Sequence, residues 1–355
     1  MATRRLGRCG ISGTVTSLFC ILCASANAAG VPPDVHFIVG PRNAEDLVAL
    51  GGGRWIVASG IAKGESLKLI DAKTKQWLPL DRGGPVAARQ DMTRYAACPR
   101  PPVGTEFFTH GLSLREQTPG HAQLHVVMHG GRESIEIYDI DYRKDPQFTW
   151  IGCVPLPSGL KGNSVAALRD GGFFVTISIN PGKNPVQMFS GESTGDVWEW
   201  TPKDGFRRIP GGELAGDNGV EVSADEAEIY VAATGGHSVV RLARNGDMSR
   251  RLVVTVPLTP DNLRWAPDHT LLVAGRADER ACGGVLRAEN LFQKCARGIA
   301  VAKLDTITMQ AHPLVQVPAR EDFNSVSSAL QIGDFLWIGS WQSDRIAYFE
   351  LPAGD

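Results

Sequence analysis

The 355-residue sequence lacks an apolar run long enough for a membrane-spanning helix, and it has little excess charge of either sign. Its formal net charge of −2 gives no reason to expect nucleic acid or an anionic membrane surface as a partner. Segments with helical periodicity are also few, whereas glycine is abundant, with 40 residues. These features argue against an α/β enzyme and favour a large all-β domain.

The first 28 residues have the layout of a cleaved secretory signal. Three arginines precede an apolar segment from Ile11 to Cys23, and Ala-Asn-Ala follows at positions 26–28. We therefore predict a signal peptide over residues 1–28, cleavage near Ala28, and a secreted or periplasmic protein with a single domain, residues 29–355. Removing three arginines and no acid changes the formal charge from −2 to −5.

Cysteine is scarce in the mature chain, which retains only Cys98, Cys153, Cys282 and Cys295. An even number of cysteines in an exported chain permits two disulfide bonds. We predict the pair Cys282–Cys295 first, because it would close one local loop. Cys98 with Cys153 is compatible with it, but three pairings exist and the sequence does not choose among them.

One unit of sequence occurs six times: a polar residue, an apolar strand, a reversal rich in Gly and Asp, and a second apolar strand ending in small residues. The copies are separated by 65, 53, 55, 44 and 62 residues and begin at Glu45, His110, Asn163, Asn218, Asn262 and Asn324. A third alternating strand follows most copies, and the remaining segments are long enough for a fourth. Antiparallel sheets at this period are typical of the blades of a β-propeller.

Six copies predict an all-β, six-bladed β-propeller with its blades packed around a central channel. The short apolar run from Val35 to Val39 precedes the first copy and has no hairpin partner of its own. We predict that it supplies the outer strand of the last blade and so closes the ring.

The turns that enter the innermost strands of a propeller open on a single face. We therefore expect one mouth of the channel to be surrounded by the polar residues that begin the copies: Glu45, His110, Asn163, Asn218, Asp261 with Asn262, and Asn324. Each residue alone is an ordinary turn former, so only the recurrence at one register indicates a site. The two carboxylates and three of the amides form an all-oxygen ligand set that suits Ca²⁺, with Mn²⁺ or Mg²⁺ also compatible. The lack of thiolates disfavours zinc.

Two histidines belong to the same hairpin. His110 begins the first strand and His129 ends the second, so the antiparallel return brings both to one face. We predict that His110 is a general base and that His129 orients it or shuttles its proton.

Several of these segments occur in the order seen in the paraoxonase/arylesterase family, which the chain resembles from about Glu45 to Leu351. They are Glu45-Asp46-Leu47, His110-Gly111-Leu112-Ser113, the turn at His129, Asn163, Asn218-Gly219 and Asp261-Asn262. The family comprises calcium-dependent lactonases built as six-bladed propellers, more distantly related to the gluconolactonase and senescence-marker-protein group. The resemblance implies that the metal is bound by Glu45, Asn163, Asn218, Asp261 and Asn262. It also implies that His110, assisted by His129, acts on the attacking water.

The chain departs from the family pattern at three places. Ser164 stands where the family has an aspartate that helps to hold a second, buried calcium ion, which argues against that ion although Asp46 remains. The family's disulfide between the chain ends is missing. The connection from Ser178 to Asp196 lacks the family's Asp-His pair, so substrate preference does not transfer.

The predicted function is metal-dependent hydrolysis of lactones or aryl esters, with the metal polarising the carbonyl and His110 activating water. Two alternatives stay open: a gluconolactonase-type sugar lactonase with a carboxylate base, and a non-catalytic exported propeller that binds a partner. We expect the connections from Ser178 to Asp196 and from Arg276 to Arg297 to cover the pocket, the second as a disulfide-pinned lid. Trp341 should provide an apolar wall.

Overall fold

The computed structural model describes residues 33–80, 86–277 and 297–351. Three predictions concern residues outside these ranges: the signal peptide, the Cys282–Cys295 disulfide and the interior of the lid between Arg276 and Arg297. Within the residues described, no helix has the length and hydropathy needed to cross a membrane.

The first strand of the described residues is β1 (His36–Val39), and the sheets that follow, the blades, form in sequence order. Blade 1 consists of β2 (Leu47–Leu50), β3 (Trp55–Ala58), β4 (Lys68–Asp71) and β5 (Trp77–Pro79). Blade 2 consists of β6 (Ala87–Ala88), β7 (Thr109–Thr118), β8 (His121–Met128), β9 (Ser134–Asp141) and β10 (Gln147–Pro155). Blade 3 consists of β11 (Val165–Ala167), β12 (Phe173–Ile177), β13 (Asp196–Thr201) and β14 (Gly205–Arg208).

The second half of the described chain repeats the arrangement. Blade 4 consists of β15 (Asp217–Val222), β16 (Glu228–Ala233), β17 (Ser238–Ala243) and β18 (Leu252–Thr255). Blade 5 consists of β19 (Thr259–Trp265), β20 (Leu271–Arg276), β21 (Ile299–Asp305) and β22 (Gln310–Val317). Blade 6 consists of β23 (Val326–Ile332), β24 (Phe335–Ser340), β25 (Arg345–Glu350) and the N-terminal β1. The described helices are α1 (Pro185–Phe189) and two 3-10 turns, Gly104–Glu106 and Met248–Arg250.

The six blades form a closed ring. The first long strand of each blade lies innermost, and each of these strands, β2, β7, β11, β15, β19 and β23, contacts the innermost strands of both neighbouring blades. Strand β1 pairs antiparallel with β25, with His36 opposite Tyr348 and Val39 opposite Arg345. The predicted six-bladed propeller and its closure by the N-terminal strand are both confirmed.

The near-continuous apolar character of the strands follows from burial on both faces of each blade. In blade 1, Val57 and Leu69 pack with the core of blade 2, whereas their neighbours Ile56 and Ile70 pack with residues of blade 6 such as Trp337. Successive side chains of a strand point to opposite faces, so alternate residues pack against the blade on one side and the blade on the other. The repeats therefore carry apolar residues at both parities.

The sequence predicted that the polar residues that begin the repeats lie in turns, but several of them lie within strands. His110 lies within β7, Asn218 within β15, and Asp261 with Asn262 within β19, in each case where a β-bulge shifts the strand register. A bulge leaves an extra residue outside the hydrogen-bond ladder and re-aims its side chain, which no turn propensity would indicate. Glu45 precedes its strand, as predicted.

Two glycines allow neighbouring bulges to approach closely. A Cβ atom at Gly111 would lie 2.5 Å from the backbone oxygen of Asn163, and one at Gly219 would lie 2.5 Å from the backbone nitrogen of Leu263. Each clash is with the backbone of the next blade, so only glycine fits. These glycines therefore bring the polar residues of successive blades together.

Blade 2 differs from the others by its fifth strand and its disulfide bond. Strand β6 pairs parallel with β10, the next strand of the sheet, and Cys98 is bonded to Cys153 with a Cα–Cα distance of 5.2 Å. The disulfide attaches the connection between β6 and β7 to β10. Of the two predicted pairs, the structure thus contains the one placed second, and the other lies outside the described residues.

We expect the double substitution Cys98→Ala and Cys153→Ala to destabilise the fold. The disulfide spans 55 residues, and the loss of chain entropy in the unfolded state for a loop of that size corresponds to about 4 kcal/mol. Urea unfolding of the variant and of the oxidised wild type measures the difference, with reduced wild type as the matched control. Equal unfolding midpoints for all three proteins would contradict the assignment.

Candidate metal and active site

A cavity of about 230 Å³ opens at one mouth of the channel and collects the predicted site residues. Its lining includes one residue from each of the first five repeats: Glu45, His110, Asn163, Asn218 and Asp261. Asn262 joins them from just beneath, because its Nδ2 donates to Glu45 Oε1 at 2.5 Å. The ring topology therefore gathers residues that lie up to 217 positions apart in the sequence.

Asn324 does not belong to this group. Its Oδ1 accepts hydrogen bonds from the backbone N–H groups of Ser325 at 2.7 Å and Arg297 at 3.3 Å. Ser325 adopts a positive φ of 55°, and the Asn324 carboxamide stabilises this local turn. Asn324 therefore uses its side-chain oxygen locally and does not line the cavity.

We call the predicted metal ligands Glu45, Asn163, Asn218, Asp261 and Asn262 the ligand ring. Four of its oxygen atoms are buried without a hydrogen-bond donor among the described residues: Glu45 Oε2, Asn163 Oδ1, Asn218 Oδ1 and Asn262 Oδ1. The amide nitrogens of two of them are used elsewhere, since Asn218 Nδ2 donates to Thr234 Oγ1 at 3.1 Å and Asn262 Nδ2 donates to Glu45. Burying an unpaired acceptor is costly, and a hard cation is the partner that carboxylate and amide oxygens accept best. The residues present therefore fit a calcium-type ligand set.

The electrostatics of the ring support the same conclusion. Burial, followed by the neighbouring Asp46 and Asp261 carboxylates, raises the pKa of Glu45 well above its usual value. Burial raises the pKa of Asp261 to about 6, against the opposing charge of Arg276. A divalent cation among these oxygens would stabilise both ionised forms and reverse these shifts.

A chain of hydrogen bonds leads from this cavity towards solvent. His110 Nδ1 lies 2.9 Å from His129 Nε2, and His129 Nδ1 lies 2.8 Å from Glu133 Oε2. The exposure of the side chains increases along the chain, from 11% at His110 to 14% at His129 and 26% at Glu133. We call these three residues the relay. The hairpin argument predicted the two histidines but not Glu133.

The relay fixes the protonation pattern of both imidazoles. A carboxylate only accepts hydrogen bonds, so His129 donates from Nδ1 to Glu133. In its neutral form His129 then has an unprotonated Nε2 facing His110. His110 must then donate from its own Nδ1, which leaves its Nε2 as a lone pair. That nitrogen lies 3.8 Å from Glu45 Oε1, on the side of the metal ligands.

His110 is a neutral imidazole at neutral pH. Burial, and then the neighbouring His129, lower its pKa well below the usual value, although the Gly162 carbonyl opposes them. A neutral ring with a free Nε2 is the form that a proton acceptor requires.

Arginines and apolar side chains form the walls of the cavity. Arg276 Nη1 lies 3.3 Å from Asp261 Oδ2, and Arg297 lines the cavity beside it. Helix α1, capped by Asn184, places Met188 and Phe189 in the lining. Trp341 lines the cavity as predicted, and so does the connection that contains α1.

Comparisons with known proteins show the fold of the chain. No family model and no curated protein matches the sequence. Among solved structures, luciferin-regenerating enzyme is 13% identical with a TM-score of 0.54 and covers 91% of this chain and 96% of its own. A gluconolactonase from Xanthomonas campestris is 17% identical with a TM-score of 0.54 and covers 90% of both chains. Virginiamycin B lyase from Staphylococcus aureus is 10% identical with a TM-score of 0.50 and covers 90% and 99%. At such low identities the likeness shows the propeller fold alone.

The relay predicts the tautomers of two histidines. We expect nitrogen NMR spectra at neutral pH to show His110 and His129 both protonated at Nδ1 and unprotonated at Nε2. Substitution Glu133→Leu removes the acceptor and should leave His129 as a mixture of tautomers, whereas Glu321→Leu, at an exposed site, should change neither ring. A wild-type His110 with its proton on Nε2 would show that the relay is assigned wrongly.

Proposed function

We propose that the protein is a metal-dependent hydrolase of lactones or aryl esters. The observation that supports it is one cavity with two chemical elements: buried, unpaired oxygen atoms suited to a cation, and a neutral imidazole backed by a second histidine and a carboxylate. Hydrolysis of an ester carbonyl needs both elements, one to stabilise the oxyanion and one to take the proton of water.

The cation would be held by Glu45, Asn163, Asn218, Asp261 and Asn262, with Ca²⁺ as the first choice and Mn²⁺ or Mg²⁺ as alternatives. Bound there, a divalent cation supplies a Lewis acid that polarises the substrate carbonyl and stabilises negative charge on its oxygen. Asn262 has a second role, because its amide N–H orients the Glu45 carboxylate.

The remaining steps belong to the side chains of the relay and the walls. His110 Nε2 accepts the proton of the attacking water and can return a proton to the leaving alkoxide. His129 and Glu133 hold the imidazole in the required tautomer. The small cavity, with Met188, Phe189 and Trp341 in its lining, favours a compact substrate with an apolar portion.

Two alternatives are weaker on these observations. A sugar lactonase with a carboxylate base would use Asp261, but that carboxylate is a proposed metal ligand and lies 3.3 Å from Arg276 Nη1. Both positive charges stabilise its ionised form against the burial that raises its pKa to about 6. A non-catalytic binding module has no use for three titratable side chains in series. The gluconolactonase among the solved structures acts on a lactone, which is consistent with the substrate class proposed here.

The place of action follows from the N-terminal sequence. We infer export to the periplasm or the cell exterior, because residues 1–28 have the layout of a cleaved secretory signal. The Cys98–Cys153 disulfide suits such an oxidising compartment.

We expect the substitutions His110→Gln and Asp261→Asn to have different effects. The first removes the proton acceptor and should lower kcat by about 10²–10⁴-fold while the protein keeps its metal. The second removes a ligand charge and should reduce both metal content and turnover. The measurements are rates on a panel of small lactones and aryl esters, with and without chelator, and metal analysis of each protein.

The matched control is His36→Gln, because that side chain is 53% exposed and lies outside the cavity. It should behave as wild type in both measurements. Full turnover after complete removal of the metal, or undiminished turnover by His110→Gln, would refute the proposed function.

A further inference from the structure

A buried arginine lies in the channel between its two mouths. Arg264 belongs to β19, two residues beyond Asn262, and is 6% exposed. One of its carboxylate partners, Glu221, lines a separate cavity on the far side from the metal ligands. Arg264 therefore separates the ring from the opposite end of the channel.

Every N–H group of this guanidinium has an acceptor, and the acceptors come from four different blades. Nε donates to Leu47 O at 3.0 Å, and Nη1 donates to Leu263 O at 2.9 Å and to Glu221 Oε1 at 3.0 Å. Nη2 donates to Leu112 O at 2.7 Å and to Asp46 Oδ2. Five donors with five acceptors is the full capacity of an arginine side chain.

Arg264 neutralises acids that the channel would otherwise not tolerate. Asp46 is fully buried, and its Oδ2 forms an ion pair with Arg264 Nη2. Glu221 Oε1 lies 3.0 Å from Arg264 Nη1, and burial raises the pKa of this carboxyl to about 7 against the charge of the guanidinium. A fixed positive charge is therefore required at this position, whatever supplies it.

The neighbouring residues leave no ligand set for a metal ion there. The Asp46 oxygens accept from the N–H groups of Leu47 and Leu112 and from Arg264, so neither is unused. Ser164 Oγ accepts from the Val220 N–H at 3.4 Å. A divalent cation at this point would also lie beside the guanidinium charge. The residues present do not fit a second ion.

We propose that Arg264 is a built-in cation that takes the place of a second metal ion in the channel. The protein then binds one exchangeable divalent cation per chain, at the metal ligands named under the proposed function. This count rests on that proposed function. The guanidinium of Arg264 forms hydrogen bonds with blades 1, 2, 4 and 5 near the axis. Because it is a side chain of β19, it cannot dissociate. Removing the exchangeable ion therefore inactivates the protein without unfolding it.

The first test is the stoichiometry of Ca²⁺ on the intact protein, stripped with chelator and titrated calorimetrically with CaCl₂. We expect one ion per chain and a stripped protein that still unfolds cooperatively. Two ions per chain would overturn the role of Arg264 and leave the proposed function intact. No bound ion would overturn both, so the two failures are distinguishable.

The second test replaces the fixed charge. In Arg264→Gln, Asp46 and Glu221 keep a hydrogen-bonding neighbour but lose its positive charge, so the unfolding temperature should fall. Millimolar CaCl₂ should restore part of the lost stability. The calcium titration should then show a second bound ion. Arg264→Lys, the matched control, keeps the charge and should still bind one ion. A glutamine variant with one ion and no recovery in CaCl₂ would contradict the inference. If that variant does not fold, the stoichiometry of the wild type decides.

Discussion

Negative charge collected at the axis of the propeller is the constraint on which the rest of the structure depends. The first repeat places Glu45 and Asp46 side by side, and Asp261 arrives from blade 5, all three buried. Adjacent side chains point in opposite directions, so Glu45 faces the cavity at the channel mouth and Asp46 faces Arg264 inside the channel. One pair of neighbouring acids thus occupies two positions along the axis: Arg264 neutralises the acid inside the channel, and the proposed cation would neutralise the acid at the mouth.

The fold and most of the ring could be predicted from the sequence because both rest on repetition. Six copies of one hairpin pattern specify six blades, and any closed ring of blades brings equivalent positions to one mouth. The contact of His110 with His129 needed only the local geometry of a hairpin. The bulges did not change this outcome, since they re-aim side chains by about one residue without moving them to the other end of the channel.

The parts that escaped prediction depend on contacts that have no local pattern. Glu133 reads as a polar turn residue until the fold places it beside His129. Arg264 and Glu221 each interrupt an apolar inner strand, which was the available signal, but the strand alternation did not reveal that they meet across two blades. Asn324 shares the register of the ring residues, yet the backbone of Ser325 uses its oxygen locally. The sequence repeat therefore predicts which residues lie at the channel, whereas the contacts between their side chains are known only from the structure.

The energetic roles of Arg264 and of the proposed cation differ. An unsatisfied buried acceptor costs about 1–3 kcal/mol, so four of them at the ring approach the whole stability of a typical domain, about 5–15 kcal/mol. The fold tolerates this cost because Arg264 and the pairing of β1 with β25 hold the ring closed independently of any exchangeable ion. The buried oxygen atoms that lack a hydrogen bond are also the ones whose free energy a bound cation would lower most. Unpaired oxygens on a scaffold that is held together by other contacts suit the reversible binding of the proposed cation.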